Sequence, residues 1–257
     1  MVKKILFLVI VTLALCVNGV SAAVVFEDNF DSYDTSGYPL DISVAGADKW
    51  TASTAYPEGA AYHSITVGGW LNGKAQVMNS YWGENVDLTA YAILPSAMSD
   101  CVVTTEALAY PGYESSAQYY IVARATDTSF VKLSVVDGGI IDEDTETRCL
   151  YAIITDSDGG SSDYIYIGAW STTSVISMSL TLSGSSVVAT VTNGSSTLTI
   201  SDYVTSVLDA GTVGFGSVSE WNYAVASFDN FTVSEIPEPA TMFLMAVGLA
   251  VVRFRKK

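Results

Sequence analysis

The chain carries a single histidine among its 257 residues. One imidazole cannot build a multi-histidine zinc centre. A Ser-His-Asp triad would have to use His63, in the loop-like stretch Ala61-Tyr62-His63-Ser64, and no Gly-x-Ser-x-Gly elbow is present to present its nucleophile. Cysteine is almost as scarce, with three in all, which excludes a disulfide scaffold or a cysteine-ligated cluster. Basic residues are few as well: Lys and Arg number 11 against 27 Asp and Glu, a formal charge of −16. Six of those bases sit at the two ends, and residues 23–237 keep Lys49, Lys74, Arg124, Lys132 and Arg148 against 26 acids, a net of −21. Such a body is repelled by phosphate backbones, so the reading includes no nucleic-acid partner. Long stretches of helical 3.6-residue periodicity are also missing from 23–235. What is abundant is core-forming material. The hydrophobic fraction is 49%, with 15 Tyr and 9 Phe, which excludes intrinsic disorder. The length suits one large domain or two small ones.

The N-terminus opens Met-Val-Lys-Lys and then runs apolar from Ile5 to Val17, with small residues at Ser21, Ala22 and Ala23. A positive start, an apolar run and a small-residue cleavage site describe a secretory signal peptide over residues 1–22. Cleavage after Ala22 or after Ala23 fits equally well. Cys16 is preceded by Leu15, where lipidation wants a small residue, so a lipoprotein is not expected. The C-terminus reads Pro237-Glu238-Pro239, an apolar run from Ala240 to Val252, and Arg-Phe-Arg-Lys-Lys. As a helix those 13 apolar residues span about 20 Å, short of a hydrocarbon core of about 30 Å. A short transmembrane helix is still expected if the basic tail snorkels, with the body outside by the positive-inside rule.

This three-part ending, residues 236–257, resembles the PEP-CTERM sorting signal of Gram-negative bacteria. The resemblance rests on Pro237, Glu238 and Pro239, the following Ala240-Thr241, the short hydrophobic run and the closing bases. It implies an exosortase-type membrane enzyme as partner. It implies anchorage of the precursor in the inner membrane through 240–252, then a place at the cell surface or outside the cell. Such proteins are linked to exopolysaccharide and biofilm.

Residues 23–235 read as one antiparallel all-β domain of short alternating strands with turn signals between them. Strands are expected at 24–30, 101–108, 119–126, 130–136, 149–155, 164–170, 175–182, 187–192, 196–200, 212–217 and 224–233. Asp137-Gly138-Gly139 is read as a turn. Asn193-Gly194 is read as a tight hairpin turn in which both residues take positive φ. The stretch 34–100, rich in Gly, Trp and Tyr, is read as strands broken by long loops. Phe26-Glu27-Asp28-Asn29-Phe30 near the start echoes Phe228-Asp229-Asn230-Phe231 near the end, as expected if the first and last strands pair. The closing order Val187–Val191, Gly211-Thr212-Val213-Gly214-Phe215 and Phe228–Phe231 resembles the concanavalin A-like, laminin-G-like jelly roll, which implies a two-sheet sandwich. An immunoglobulin-like sandwich is the competing arrangement. Cys101 and Cys149 open two of the strands. Outside the cell a bond between them is permitted, worth about 4 kcal/mol for a loop of about 50 residues. Two buried free thiols on separate strands are the alternative.

The jelly-roll resemblance implies either carbohydrate-binding modules and lectins or laminarinase-type hydrolases. The hydrolases carry two glutamates on one strand face. Here the nearest segment, Asp142-Glu143-Asp144-Thr145-Glu146, lacks the first glutamate and has no interleaved apolar residues, so it reads as a solvated loop. Structural calcium has two candidate places, since it wants six to eight oxygens. One is the glycine turn with Asp156, Asp158 and Asp163. The other joins Glu27 or Asp28 to Asp229, where the resemblance often implies calcium between terminal strands. For sugar, the densest polar-aromatic cluster is Trp70 and Trp82 with Asn72, Gln76 and Asn79. Tyr81, Tyr110, Tyr113, Trp170 and Trp221 are further rings near loops or strand ends. The function expected is a non-catalytic exported protein contacting extracellular polysaccharide. A secreted glycan-active hydrolase with a divergent site, or a purely structural adhesin, is the alternative.

Overall fold

The computed structural model describes residues 22–33, 40–41, 48–52, 63–67, 74–79, 86–110, 118–142, 147–170, 174–219 and 224–236. Residues 1–21 of the expected signal peptide (1–22) and residues 237–257 of the sorting tail (236–257), with its expected helix, lie outside them. Among the described residues no helix is long and apolar enough to cross a membrane. The described residues form sixteen strands in chain order. They are β1 (Ala23–Asp28), β2 (Leu40–Asp41), β3 (Trp50–Ala52), β4 (His63–Val67), β5 (Ala75–Asn79), β6 (Val86–Ala92), β7 (Cys101–Tyr110) and β8 (Gln118–Ala125). Then come β9 (Val131–Asp142), β10 (Thr147–Asp156), β11 (Ile165–Trp170), β12 (Ile176–Ser183), β13 (Ser186–Thr192), β14 (Thr197–Val204), β15 (Thr212–Ser219) and β16 (Ala224–Glu235).

The strands make two antiparallel sheets. One has nine strands in the order β14-β13-β12-β7-β16-β5-β4-β2, with β1 also on β16. The other has seven, in the order β11-β10-β9-β8-β15-β6-β3. An immunoglobulin-like sandwich has about seven to nine strands in total, so that alternative is overturned. Period-two alternation explains the layering. In β12, Ile176, Met178, Leu180 and Leu182 are buried while Ser177, Ser179 and Thr181 face outward. The same rhythm in β13 buries Val187, Ala189 and Val191. Each large aliphatic side chain moved from water into the core contributes about 1.5–3 kcal/mol.

The terminal strands do pair, from Ala23↔Glu235 to Asp28↔Phe231. One edge of β16 is shared: β5 takes Ala224–Phe228 and β1 takes Phe231–Glu235, while β7 lines the other edge. The phenylalanine echo has a packing cause. Phe26, Phe30, Phe215 and Phe231 surround buried Trp50, with ring centroids 5.0–5.7 Å from it. The Trp50 indole N–H donates to Asp28 Oδ2 at 2.7 Å, so its one polar atom is satisfied inside the core. Phe30 takes φ of 57°, a left-handed conformation costing roughly 1–2 kcal/mol. Its own N–H bonds Asp28 Oδ1 at 3.0 Å, and its fully buried ring holds it there.

Three local expectations are corrected. Asp137-Gly138-Gly139 is no turn: β9 runs on to Asp142 through a register shift between Leu150↔Asp137 and Arg148↔Ile140. A Cβ on Gly138 would lie 2.4 Å from the Tyr151 ring, so glycine lets that ring settle over the bulged strand. Asn193-Gly194 is not a two-residue turn, since β13 and β14 are joined by residues 193–196. Gly194 has φ of 85° while Asn193 does not take positive φ. The buried Asn193 side chain instead accepts from the N–H of Ser195 and Ser196 and donates to the Ala169 carbonyl. Lastly, Cys101 and Cys149 are both free. Cys101 is buried in β7 of one sheet and Cys149 is half-buried in β10 of the other, so the separate-strand alternative describes them.

Candidate functional site

The outer face of the seven-stranded sheet combines exposed rings with polar groups. Register places its side chains in rows across the strands. One row runs Tyr166, Tyr151, Val136, Gln118, Val218, Asp87. The next runs Ile153, Ser134, Tyr120, Gly216, Thr89. Tyr164, two residues before Tyr166, extends the face beyond the start of β11. Tyr164 and Tyr166 are 59% and 52% exposed, and Tyr151 is half-buried. Tyr151 and Tyr166 are directly opposed, with ring centroids 5.5 Å apart. This edge presents a run of aromatic surface to solvent, with phenolic hydroxyls at its margin.

Toward the sheet centre the face closes over. Tyr120, Val122 and Ala125 form a small buried cluster against Tyr91, Phe130 and Val218. Gly216 makes room for it, because a Cβ there would lie 2.2 Å from the Leu88 carbonyl oxygen and 2.4 Å from the Tyr120 hydroxyl. The Tyr120 hydroxyl bonds Asp87 and lies 2.6 Å from the Thr89 hydroxyl. Burial, then the Asp87 charge, pushes that phenol well above its ordinary pKa, so it stays protonated and is a poor nucleophile. Lys132 pairs with Asp87 at 2.6 Å and lies over the Tyr120 and Phe130 rings at 4.3 and 4.8 Å. Asp87 is the one carboxylate among the described outward-facing side chains of the strands in these rows.

The expected sugar cluster is not described. Trp70, Asn72 and Trp82 lie outside the described residues, as do Tyr81, Tyr113 and Trp221. Gln76 and Asn79 have their backbone in β5, paired with Thr66 and His63 of β4. Tyr110 and Trp170 end β7 and β11. Asp142 ends β9, and 143–146 lie outside the described residues between it and β10. The sequence reading passed over Tyr151, Tyr164 and Tyr166. The signal was available in Tyr164-Ile165-Tyr166-Ile167, whose alternation sends both isoleucines toward the core and both tyrosines outward.

The two calcium proposals do not fit the geometry. A cation needs free oxygen lone pairs, and these face donors. Asp156 Oδ1 accepts from the N–H of Asp158 and Gly160, and Oδ2 accepts from the hydroxyls of Tyr203 and Thr205. Burial by itself raises the pKa of this carboxyl, but the hydrogen bonds from Thr205, Tyr203 and the two backbone N–H groups outweigh it and hold the pKa below the ordinary value. Asp158 accepts from Ser206. Asp28 accepts from the Phe30 N–H, Tyr33 and Trp50, with Lys49 at 3.6 Å. Asp229 is held by Lys74 at 2.6 Å. Among the described residues no three His, Cys, Asp or Glu side chains gather as a metal site, and Asp163 joins none.

Residues 235–257 match the PEP-CTERM protein-sorting motif, which implies an exported protein sorted to the cell surface. No curated protein matches the chain in sequence. Solved structures share the fold. The CBM2 module of the evolved Dit protein of Lactobacillus casei BL23 phage J-1 superposes with a TM-score of 0.53 at 10% identity, covering 84% of this chain and 97% of that one. A putative beta-glucanase from Mycobacterium abscessus gives 0.52 at 12% identity, over 82% of this chain and 100% of its own. A structure from work on endo-acting O-glycanases that initiate mucin breakdown, expressed by human gut microbiota, gives 0.52 at 10% identity, over 84% and 100%. At these identities the likeness is one of fold: a two-sheet β-sandwich of the kind found in carbohydrate-binding modules and in glycanases.

Proposed function

We propose that this is a non-catalytic, exported β-sandwich that contacts extracellular polysaccharide through the tyrosine edge of its seven-stranded sheet. The tail is processed by an exosortase-type enzyme after 240–252 has held the precursor in the inner membrane. The place of action is the cell surface or the matrix beyond it, in association with exopolysaccharide or biofilm. The observation that carries the reading is the solvent-facing row of Tyr164, Tyr166 and Tyr151. Aromatic side chains offer a rigid apolar surface with a polar tip, and the C–H faces of a sugar ring match that surface. The non-catalytic part is supported by Asp87, which is committed to Lys132 and Tyr120. Retaining glycoside hydrolysis needs a second carboxyl about 5–5.5 Å away.

Affinity electrophoresis of the purified chain through gels loaded with different polysaccharides tests this reading. Retardation by at least one glycan is expected, with the retardation lost in Tyr166→Ala and Tyr164→Ala. Unretarded migration in every gel would sink the reading. Release of reducing ends from a retained glycan would replace it with the hydrolase.

A further inference from the structure

We infer that the outer face of the nine-stranded sheet is a second polysaccharide site, a hydroxyl-lined groove that takes an extended, uncharged glycan chain. The inference rests on the polysaccharide reading above. It adds a second point of attachment, on the side of the sandwich away from the tyrosine edge, so that one protein molecule holds two glycan strands together.

Register lays two rows of polar side chains across this face. One runs Thr190, Ser179, Thr104, Thr232 over β13, β12, β7 and β16. The other runs Thr192, Ser177, Glu106. All of these but Thr232 line one open hollow of about 310 Å³, together with Asn230. That volume falls within the range of about 300–1,000 Å³ usual for ligand sites. Beyond Asn230 a second hollow, of about 450 Å³, is lined by Thr232, Glu27, Asn29, Ser32 and Lys49. Asn230 borders both, so a polar track runs from β13 to β1, about 19 Å at about 4.8 Å per strand.

Composition sets the ligand class. Every outward-facing residue of β12 and β13 is Ser or Thr, apart from Val188, in a chain with 27 acids. A charged side chain there would have to shed strongly held water to meet an uncharged ligand, and a long one would lose more rotamer freedom on contact. Ser and Thr avoid both costs. Each hydroxyl offers one donor and two acceptor lone pairs, the same set as a sugar hydroxyl. Cross-strand pairs orient several of them: Thr192 lies 3.0 Å from Thr197, Thr190 3.4 Å from Thr199 and Thr104 2.6 Å from Thr232. One such contact leaves each hydroxyl with bonding capacity for a ligand.

Asn230 marks the middle of the track. Its φ is 51°, at the point where β16 slips register between Asp229 and Thr232. Bulges re-aim side chains next to binding sites, and left-handed non-glycine residues gather there. The bulge is pinned on both sides. The Thr105 hydroxyl donates to the Asp229 carbonyl at 2.9 Å, and Asp229 Oδ1 accepts from the Asn230 N–H at 2.8 Å. Asn230 is left exposed between the two hollows, with its side-chain amide donating to Glu106 Oε2 at 3.0 Å. An amide and a carboxylate side by side supply the donors and acceptors that two neighbouring sugar hydroxyls need.

The test uses the purified full chain with a β-1,3-glucan, a dextran, a galactomannan and polygalacturonate. Bridging of polymer chains is read by light scattering, beside retardation in the gels. Once the tyrosine edge holds a polymer, its neighbouring strands stand at high local concentration, so a weak second site is enough to bridge them. At least one neutral polymer is expected both to retard the chain and to be bridged by it. Bridging should be the same in low salt and in about 0.5 M salt, because an uncharged ligand offers no ion pair to screen. Ser179→Glu, which puts a long charged side chain into the groove, and Asn230→Gly should each cut bridging about tenfold or more. Retardation should persist in both through the tyrosine edge. Glycine takes positive φ without strain, so Asn230→Gly should melt within about 2 °C of the wild type, which separates ligand contact from folding. Tyr166→Ala should remove both signals. Retardation without bridging, bridging that survives Ser179→Glu and Asn230→Gly, or retardation by polygalacturonate alone overturns the inference while Tyr166-dependent retardation upholds the glycan reading. Free migration in every gel overturns both. A wild-type chain that self-associates without polymer, and turns monomeric as Ser179→Glu, makes this face a contact between copies and also overturns the inference.

Discussion

Replacing Asp156 with alanine probes how the two sheets are tied at one corner. Asp156 ends β10 of the seven-stranded sheet, and its carboxylate accepts from Tyr203 and Thr205 at the end of β14, the edge of the nine-stranded sheet. Two backbone N–H groups complete its four bonds. After truncation the backbone N–H groups and the half-buried Tyr203 hydroxyl can turn to water. Thr205 is 2% exposed and cannot: its hydroxyl still accepts from the Val207 N–H, but its own proton is left without an acceptor, at a cost of about 1–3 kcal/mol. Loss of the charge-assisted bonds brings the total to about 3 kcal/mol. For a domain of this size each kcal/mol lowers Tm by about 2–4 °C, so a drop of about 6–12 °C at pH 7 is expected in a calorimetric melt. The effect carries a pH signature. The folded-state pKa lies below the ordinary value, so the stabilisation is full above an unfolded pKa of about 3.9 and is lost as pH falls through the folded value. The wild-type and Asp156→Ala melts should converge in acid. A shift under about 2 °C at pH 7, or a shift of the same size in acid, refutes the corner tie. A Tyr203→Phe cycle should return a coupling of about 0.5–3 kcal/mol.

Two further outcomes follow from the same geometry. Chelator is expected to leave the melting temperature unchanged, because the oxygens of Asp28 and Asp156 face N–H and O–H donors; a fall of several degrees would restore structural calcium. Cys101 should resist an alkylating reagent at pH about 8 until the chain unfolds, because burial pushes its thiol up to about 12. Peptide mapping that finds Cys101 labelled in the native state, or found linked to Cys149, would contradict the structure.

Much of the fold is legible along the chain. Alternation in β12 and β13 assigns each residue to core or surface because the side-chain period is two. The paired phenylalanine segments announce that the ends meet, and the apolar run with its basic tail announces a sorting signal. Local reasoning failed where a distant side chain supplied the deciding contact. Asp-Gly-Gly has every turn credential, yet the Tyr151 ring from the next strand turns Gly138 into a bulge. Asp156 and Asp28 look like metal ligands in a list of acids, and become hydrogen-bond anchors once Tyr203, Thr205 and Trp50 arrive from far along the chain. Trp50 gave no local sign that phenylalanines from β1, the turn after it, β15 and β16 would close on it. The tyrosine row was half visible: Tyr164 and Tyr166 alternate with isoleucines.

By itself the sequence determined the address, the β class, the acidic surface and the inward or outward facing of most strand residues, since these depend on neighbours in the chain. Which strands pair, which acids lose their lone pairs to donors, and that Tyr151 joins Tyr166 were decided only by the tertiary structure. Those contacts join residues more than 200 positions apart, as in Asp28 and Phe231, and register between such strands is set by packing across the whole sandwich.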